Sequence, residues 1–315
     1  MISFGLFLRE QEEKASSNTK GVLHEILVGH YLNNAKHMDK HPAVTGESPQ
    51  QVHDRLKSTI SKDEYKKIHD RAKAAADDIR AKVGGKVKHV HWTSKPGDLH
   101  RSTGIHASQE EDASDIVVTD HTGKHHGISL KVTDKNTGHV PVSNPGMEAT
   151  HGGHEILNKH RAGILKAHPK LKGLNKAGRK EYMKNNPKAE ADIKKRNGKV
   201  LTDLVDHVHT QLSNMSTEEL ADHLRHKILK ANPTPMQQEG HVHIRHTTYG
   251  NNTFHHADPA NDHEDVLKNH KHLTVEKSGT SIIFKHKGKK VARHRMKFES
   301  QSDPMSSVKG SGEIM

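Results

Sequence analysis

Between Ser114 and Asp134 the chain reads SDIVVTDHTGKHHGISLKVTD, two strands and a turn, and this stretch restricts the fold more than any other. Ile116, Val117 and Val118 form a β-branched run, and His121-Thr122-Gly123-Lys124 supplies a glycine-containing turn. Ile128, Leu130 and Val132 alternate with Ser129 and Lys131, the two-residue period of a half-buried strand. Asp115 opens the first strand and Lys131 lies on the second, so a hairpin brings them close at one end of the sheet. A carboxylate and an ammonium converging there can hold a hard metal ion and direct a cation at a phosphate.

Upstream, Thr19 to Leu32 reads as an amphipathic helix carrying a single acid, Glu25, with Ser17 or Asn18 as its cap. A helix with Glu, a strand, a strand with Asp and a strand ending in x-Lys is the element order of the PD-(D/E)xK nucleases. Over roughly its first half the chain resembles that superfamily. The wording GISLKV is similar to its restriction-type branch with a Ser-x-Lys half-motif. The matching residues are Glu25, Asp115, Ser129 and Lys131. Two positions depart from the family name: Ser114 stands where proline is expected, and Ser129 replaces the second carboxylate.

The resemblance implies an α/β fold, a restriction endonuclease-like mixed sheet of about four strands flanked by helices. It implies Mg²⁺-dependent hydrolysis of DNA phosphodiesters, with Mn²⁺ as a substitute. Asp115 would anchor the metal, with Glu25, the Leu130 carbonyl and water completing the shell, since a hydroxyl such as Ser129 is a weaker ligand. Lys131 would orient or activate the attacking water. DNA is the implied partner, and a homodimer is compatible with cutting both strands.

Charge points the same way. The chain has 315 residues and a formal net charge of +12 with its 32 histidines neutral. Such an excess favours a polyanion partner. Arg101 in the polar loop 94–112, the turn residues Lys124, His125 and His126, Asn144 and Gly146 of the turn 143–146, and Arg293 with Arg295 are the candidate DNA contacts. The Lys/Arg-crowded stretch 166–199 is a further phosphate-tracking surface or a solvated helix pair. Hydrophobic residues make up only 30% of the chain, so the core is expected to be small for its length. There is no run long and apolar enough for a membrane span and no secretory pattern. With no cysteine, disulfides and thiolate zinc sites are excluded, and the cytoplasm of a bacterial host or a virion is the expected setting.

In chain order, Met1 to Glu10 looks like the opening of proteins from large tailed cyanobacterial phages, and residues 1–18 read as leader and linker. Residues 19–235 read as the nuclease-like core with helical insertions. Within them Pro49–Lys82 is expected to be helical, Lys86–Trp92 a strand, and 197–231 a helix with Leu201, Leu204, Val205, Val208 and Leu212 as its stripe. Residues 236–300 read as an antiparallel β subregion of about four strands. Its last strand sets Arg293, Arg295 and Lys297 against Ala292, His294, Met296 and Phe298. The Ser- and Gly-rich segment 301–315 reads as a flexible tail.

The histidine pairs 89/91, 207/209, 241/243, 125/126 and 255/256 invite a metal reading, but none has zinc-finger or H-E-x-x-H spacing. Two other readings stand beside the nuclease. One is a phage structural or head-associated protein that kept the fold and lost catalysis; the other is a DNA-binding protein that does not cut.

Overall fold

The computed structural model describes residues 17–36, 38, 47–93, 97–108, 111–133, 138–144, 146–300 and 303–315. Met1–Glu10, read above as part of a leader, lies outside them. Among the described residues are ten strands: β1 (Val87–Trp92), β2 (Ile116–Asp120), β3 (His125–Thr133), β4 (Val140–Ser143), β5 (Val242–Tyr249), β6 (Phe254–Ala257), β7 (Leu273–Ser278), β8 (Ser281–His286), β9 (Lys289–Phe298) and β10 (Val308–Ile314). They form a mixed sheet and an antiparallel sheet. Each belongs to its own compact unit, one built from 1–138 and 233–258, the other from 139–232 and 259–315.

The first unit opens with α1 (Ser17–Leu32), α2 (Pro49–Lys57) and α3 (Lys62–Lys82). α2 starts at a capping box: Ser48 Oγ accepts the Gln51 N–H while Gln51 Oε1 accepts the Ser48 N–H, and Pro49 fills the first turn. α3 is capped by Ser61 and carries Asp63 and Glu64 at its positive end. Leu23, Leu27 and Val28 of α1 pack with Ile68, Ala72, Ala76 and Ile79 of α3 against Val90, Ile116, Val118, Ile128 and Leu130 of the sheet. Each large side chain buried here contributes roughly 1.5–3 kcal/mol.

The sheet order is β1-β2-β3-β5-β6. β1, β2 and β3 are an antiparallel meander, β5 runs parallel to β3, and β6 returns antiparallel to β5. β2 is buried along its whole length. Its Val117 packs with Leu99, Ile105 and Met236 on the face away from Val118. Gly127 has room for no side chain there, because a Cβ would lie 2.3 Å from Ser114 Oγ and 2.7 Å from Met236 Sδ.

In the second unit the order is β4-β10-β9-β8-β7, antiparallel throughout. The helix Pro187–Ser213 lays Leu204, Val208 and Leu212 into a core with Leu224, Ile228, Ile282, Phe284, Ala292 and Met296. The expected two-faced pattern of β9 is present. Ala292, His294, Met296 and Phe298 are buried, and the intervening basic residues are half-buried.

Three expectations differ from this structure. The strand at His241–Arg245, read as the start of an antiparallel C-terminal subregion, is β5 and pairs in parallel with β3 of the first sheet. The antiparallel subregion is completed instead by β4 and β10. Finally, the segment read as a flexible tail at 301–315 is, over 303–315, not free: β10 lies inside its sheet between β4 and β9, with Val308, Gly310, Ser311, Gly312 and Glu313 buried. Its small residues let it pass close to neighbours, since a Cβ on Gly310 would meet the His294 ring at 2.2 Å.

Buried histidines give the second unit a definite pH response. His151 Nε2 and His294 Nε2 are 3.0 Å apart, and the tilted ring of His223 has its centroid 4.9 Å from that of His151. Burial, then neighbouring positive charge, holds them neutral, at about 2 for His151, about 3 for His294 and about 4 for His223. The unfolded chain takes up protons below about 6.5. Their stabilisation is therefore complete above that pH and is lost as pH falls toward the folded values. From pH 7 to 5.5 three such groups cost roughly 4 kcal/mol. Hydrogen exchange of β9–β10 peptides at the two pH values measures this, after correction for intrinsic exchange. Equal protection would contradict it.

Candidate active site

Asp115 stands immediately before β2, where its backbone N–H still bonds to the Ile128 carbonyl at 2.9 Å. Its side chain continues the ladder that its backbone starts. Oδ2 accepts the Leu130 N–H at 2.6 Å, and Ser129 Oγ and Lys131 Nζ lie 3.5 Å from the same oxygen. The Lys131 ammonium also donates to the Leu130 carbonyl at 3.0 Å. The hairpin thus joins Asp115, Ser129, Leu130 and Lys131 as the sequence spacing implied. Ser129 is buried and Lys131 is nearly half exposed, so the hydroxyl steadies Asp115 while the ammonium faces solvent.

Glu25 reaches this group from α1. A cavity of about 230 Å³ between helix and sheet is lined by Gly21, His24, Glu25, Leu130 and Lys131. Burial raises the Glu25 carboxyl to about 8; the charge of Asp115 adds to the rise and Lys131 opposes it. Glu25 and Leu130 line this opening, and Asp115, bonded to the Leu130 N–H, is near enough for its charge to act on Glu25. Carboxyl and carbonyl oxygens are hard donors of the kind that Mg²⁺ takes, with water filling the remaining octahedral positions. The Lys131 ammonium, bonded to two of those residues, marks the same point as favourable to a cation. The residues present therefore fit a divalent ion.

The expected DNA contacts divide. Lys124 is exposed at the β2–β3 turn. Arg101 is paired with Asp98. His125 is half-buried, with its Nδ1 3.0 Å from Thr119 Oγ1. His126 is buried with Nε2 2.9 Å from Asp120 Oδ2, so it holds the turn and is not presented to a ligand. In the second unit Asn144 is exposed, Gly146 bridges to Lys309, Arg293 is paired with Glu313, and Arg295 is half-buried. Pro145 of that turn lies outside the described residues.

Of the histidine pairs, His255 and His256 point to different surroundings: His255 packs on Tyr249, whereas His256 Nε2 lies 2.6 Å from Asp78 Oδ2. Asp78 also meets His246, at 3.0 Å. This trio of Asp78, His246 and His256 was not foreseen from the sequence. Its one visible signal was the 255/256 doublet, and joining His256 to His246 requires the β5–β6 register. Among the described residues no helix is long and apolar enough to cross a membrane.

No protein-family model, curated protein or solved structure matches the chain.

Proposed function

We propose that the chain is a Mg²⁺-dependent DNA endonuclease of the PD-(D/E)xK type in its Ser-x-Lys form. The observation that carries this reading is the grouping of Asp115 with Lys131 and Leu130 at the end of the hairpin, with Glu25 lining the cavity beside Leu130 and Lys131. Support comes also from the element order: a Glu-bearing helix, an antiparallel three-strand meander and a further strand parallel to the Lys-bearing one.

Asp115, Glu25 and the Leu130 carbonyl would hold the ion, with Mn²⁺ able to replace Mg²⁺. Bound there, a divalent ion supplies Lewis acidity at the phosphate and a more acidic water. The protein's own part is positional. Asp115 is held through Oδ2 by the Leu130 N–H, which leaves Oδ1 for a ligand. Lys131, nearly half exposed and tethered at its base by β3, can orient the attacking water and offset charge developing on phosphorus. Ser129 supports Asp115 and is not needed as a ligand.

The test is nicking of supercoiled plasmid. The wild-type chain is expected to cut with Mg²⁺ or Mn²⁺ and to stop with EDTA. Lys131→Ala is expected to slow cutting by about 10²-fold or more, the range of a lost proton-transfer or charge-offsetting group. Cutting that persists at the wild-type rate in Lys131→Ala would remove this assignment. Salt-sensitive binding without cutting would favour a non-cleaving DNA-binding protein.

A further inference from the structure

Three side chains apart from the Asp115 group converge within the first unit. Asp78 on α3, His246 on β5 and His256 on β6 each offer a ligand atom, all within 4.8 Å of one another. His246 and His256 are directly opposed in the β5–β6 ladder, so both imidazoles leave the same face of the sheet. Their ring centroids are 4.9 Å apart, and both Nε2 atoms meet the same carboxylate oxygen, at 3.0 and 2.6 Å.

The support around them is firm. His246 is fully buried, and its Nδ1 lies 3.4 Å from Thr248 Oγ1. A partner on the second ring nitrogen is the usual device for aiming a ligating imidazole. Asp78 and His256 keep 27% and 21% of their side-chain surface exposed, which leaves a path for an ion and a place for water. His24 on α1 is buried nearby, close enough for the charge of His246 to act on it, and its Nε2 has no hydrogen-bond partner. A further imidazole nitrogen is thus unsatisfied in the same neighbourhood.

Two imidazole nitrogens and one carboxylate oxygen are a zinc donor set with a fourth position open. The same set is poor for Mg²⁺, which prefers oxygen. We propose that Asp78, His246 and His256 bind Zn²⁺ and so tie α3 to the β5–β6 hairpin. This site shares no ligand with the Asp115 group, and its test does not depend on cleavage.

The 315-residue chain, stripped of metal, would be titrated with Zn²⁺ against a chromophoric chelator and with Co²⁺ by visible absorption. With 32 histidines in the chain, weak surface binding forms a background, so the tight equivalent is what counts. One tight Zn²⁺ per chain and a tetrahedral Co²⁺ spectrum are expected. Asp78→Asn and His256→Ala should each weaken that equivalent by at least about 100-fold. His255→Ala, next in sequence but packed on Tyr249, should leave it unchanged. Asp78→Asn keeps a hydrogen-bond acceptor and the side-chain shape, so it reports on the metal even if His256→Ala fails to fold. Absence of a tight equivalent, or the same affinity in wild type and Asp78→Asn, would overturn the site.

Discussion

Asp115→Asn should slow metal-dependent plasmid cleavage by about 10³-fold while moving the thermal midpoint little. The amide has the shape of the carboxylate, and its oxygen can keep the 2.6 Å bond from the Leu130 N–H. The Lys131 ion pair is partly exposed, and such pairs contribute about 0–1 kcal/mol. What disappears is the negative charge that a hard cation requires. Lewis-acid stabilisation is worth several kcal/mol, and each 1.36 kcal/mol is tenfold in rate. Asp115→Ala is a less clean choice. It also strands the Leu130 N–H, at about 1–3 kcal/mol, so lost cutting could reflect a loosened hairpin. Nicking rates and thermal unfolding of the two variants separate the effects. A wild-type rate in Asp115→Asn would reject Asp115 as the anchoring ligand.

Among single substitutions the largest stability effect is expected at Gly312. A Cβ there would lie 2.2 Å from the Ile228 carbonyl oxygen and 2.3 Å from Ser143 Oγ. Ser143 cannot turn aside freely, because its hydroxyl donates to that same carbonyl at 2.6 Å. Ile228 sits in the π-helical turn Leu224–Leu229, with its side chain in the core, so the backbone has little room to withdraw. Gly312→Ala should therefore destabilise the second unit by about 3 kcal/mol, the upper part of the usual overpacking range. Gly163→Ala is the control. It lies in the helix His154–Ala167 with open space around its Cβ, and should gain up to about 1 kcal/mol from helix propensity. Urea midpoints of the two variants decide. Equal midpoints would mean that β10 does not pack as described.

Local pattern made the hairpin legible. The β-branched run at 116–118 and the alternation at 128–132 predict β2 and β3, and the structure has both, with Asp115 and Lys131 brought together. The helix bearing Glu25, the strand at 87–92 and the stripe along Pro187–Ser213 were readable for the same reason. Pairing was not. Period-two alternation at His241–Arg245 says strand, but not that its partner is β3, more than a hundred positions earlier. In 308–314, Gly and Ser suggested a free tail; their smallness instead serves close packing against His294 and Ile228. Asp78, His246 and His256 are single residues on three elements, with no shared spacing to find.

The parallel pairing of β3 with β5 has a consequence for how the chain comes into being. Between the two strands run all of residues 139–232, which belong to the other unit, and that unit in turn needs β7 to β10 from beyond residue 258. Neither unit is a continuous stretch, so the first, although made ahead of the second as is usual in multidomain chains, cannot close until its segment 233–258 has followed the whole of 139–232. Until β5 is made, β3 is an open edge, and such an edge invites pairing with other chains. Long-range parallel pairing is also intrinsically slow. The strand that carries Ser129 and Lys131 thus gains its flanking support only late. A nascent chain stopped anywhere before β5 holds Asp115 and Lys131 without the strand that flanks β3.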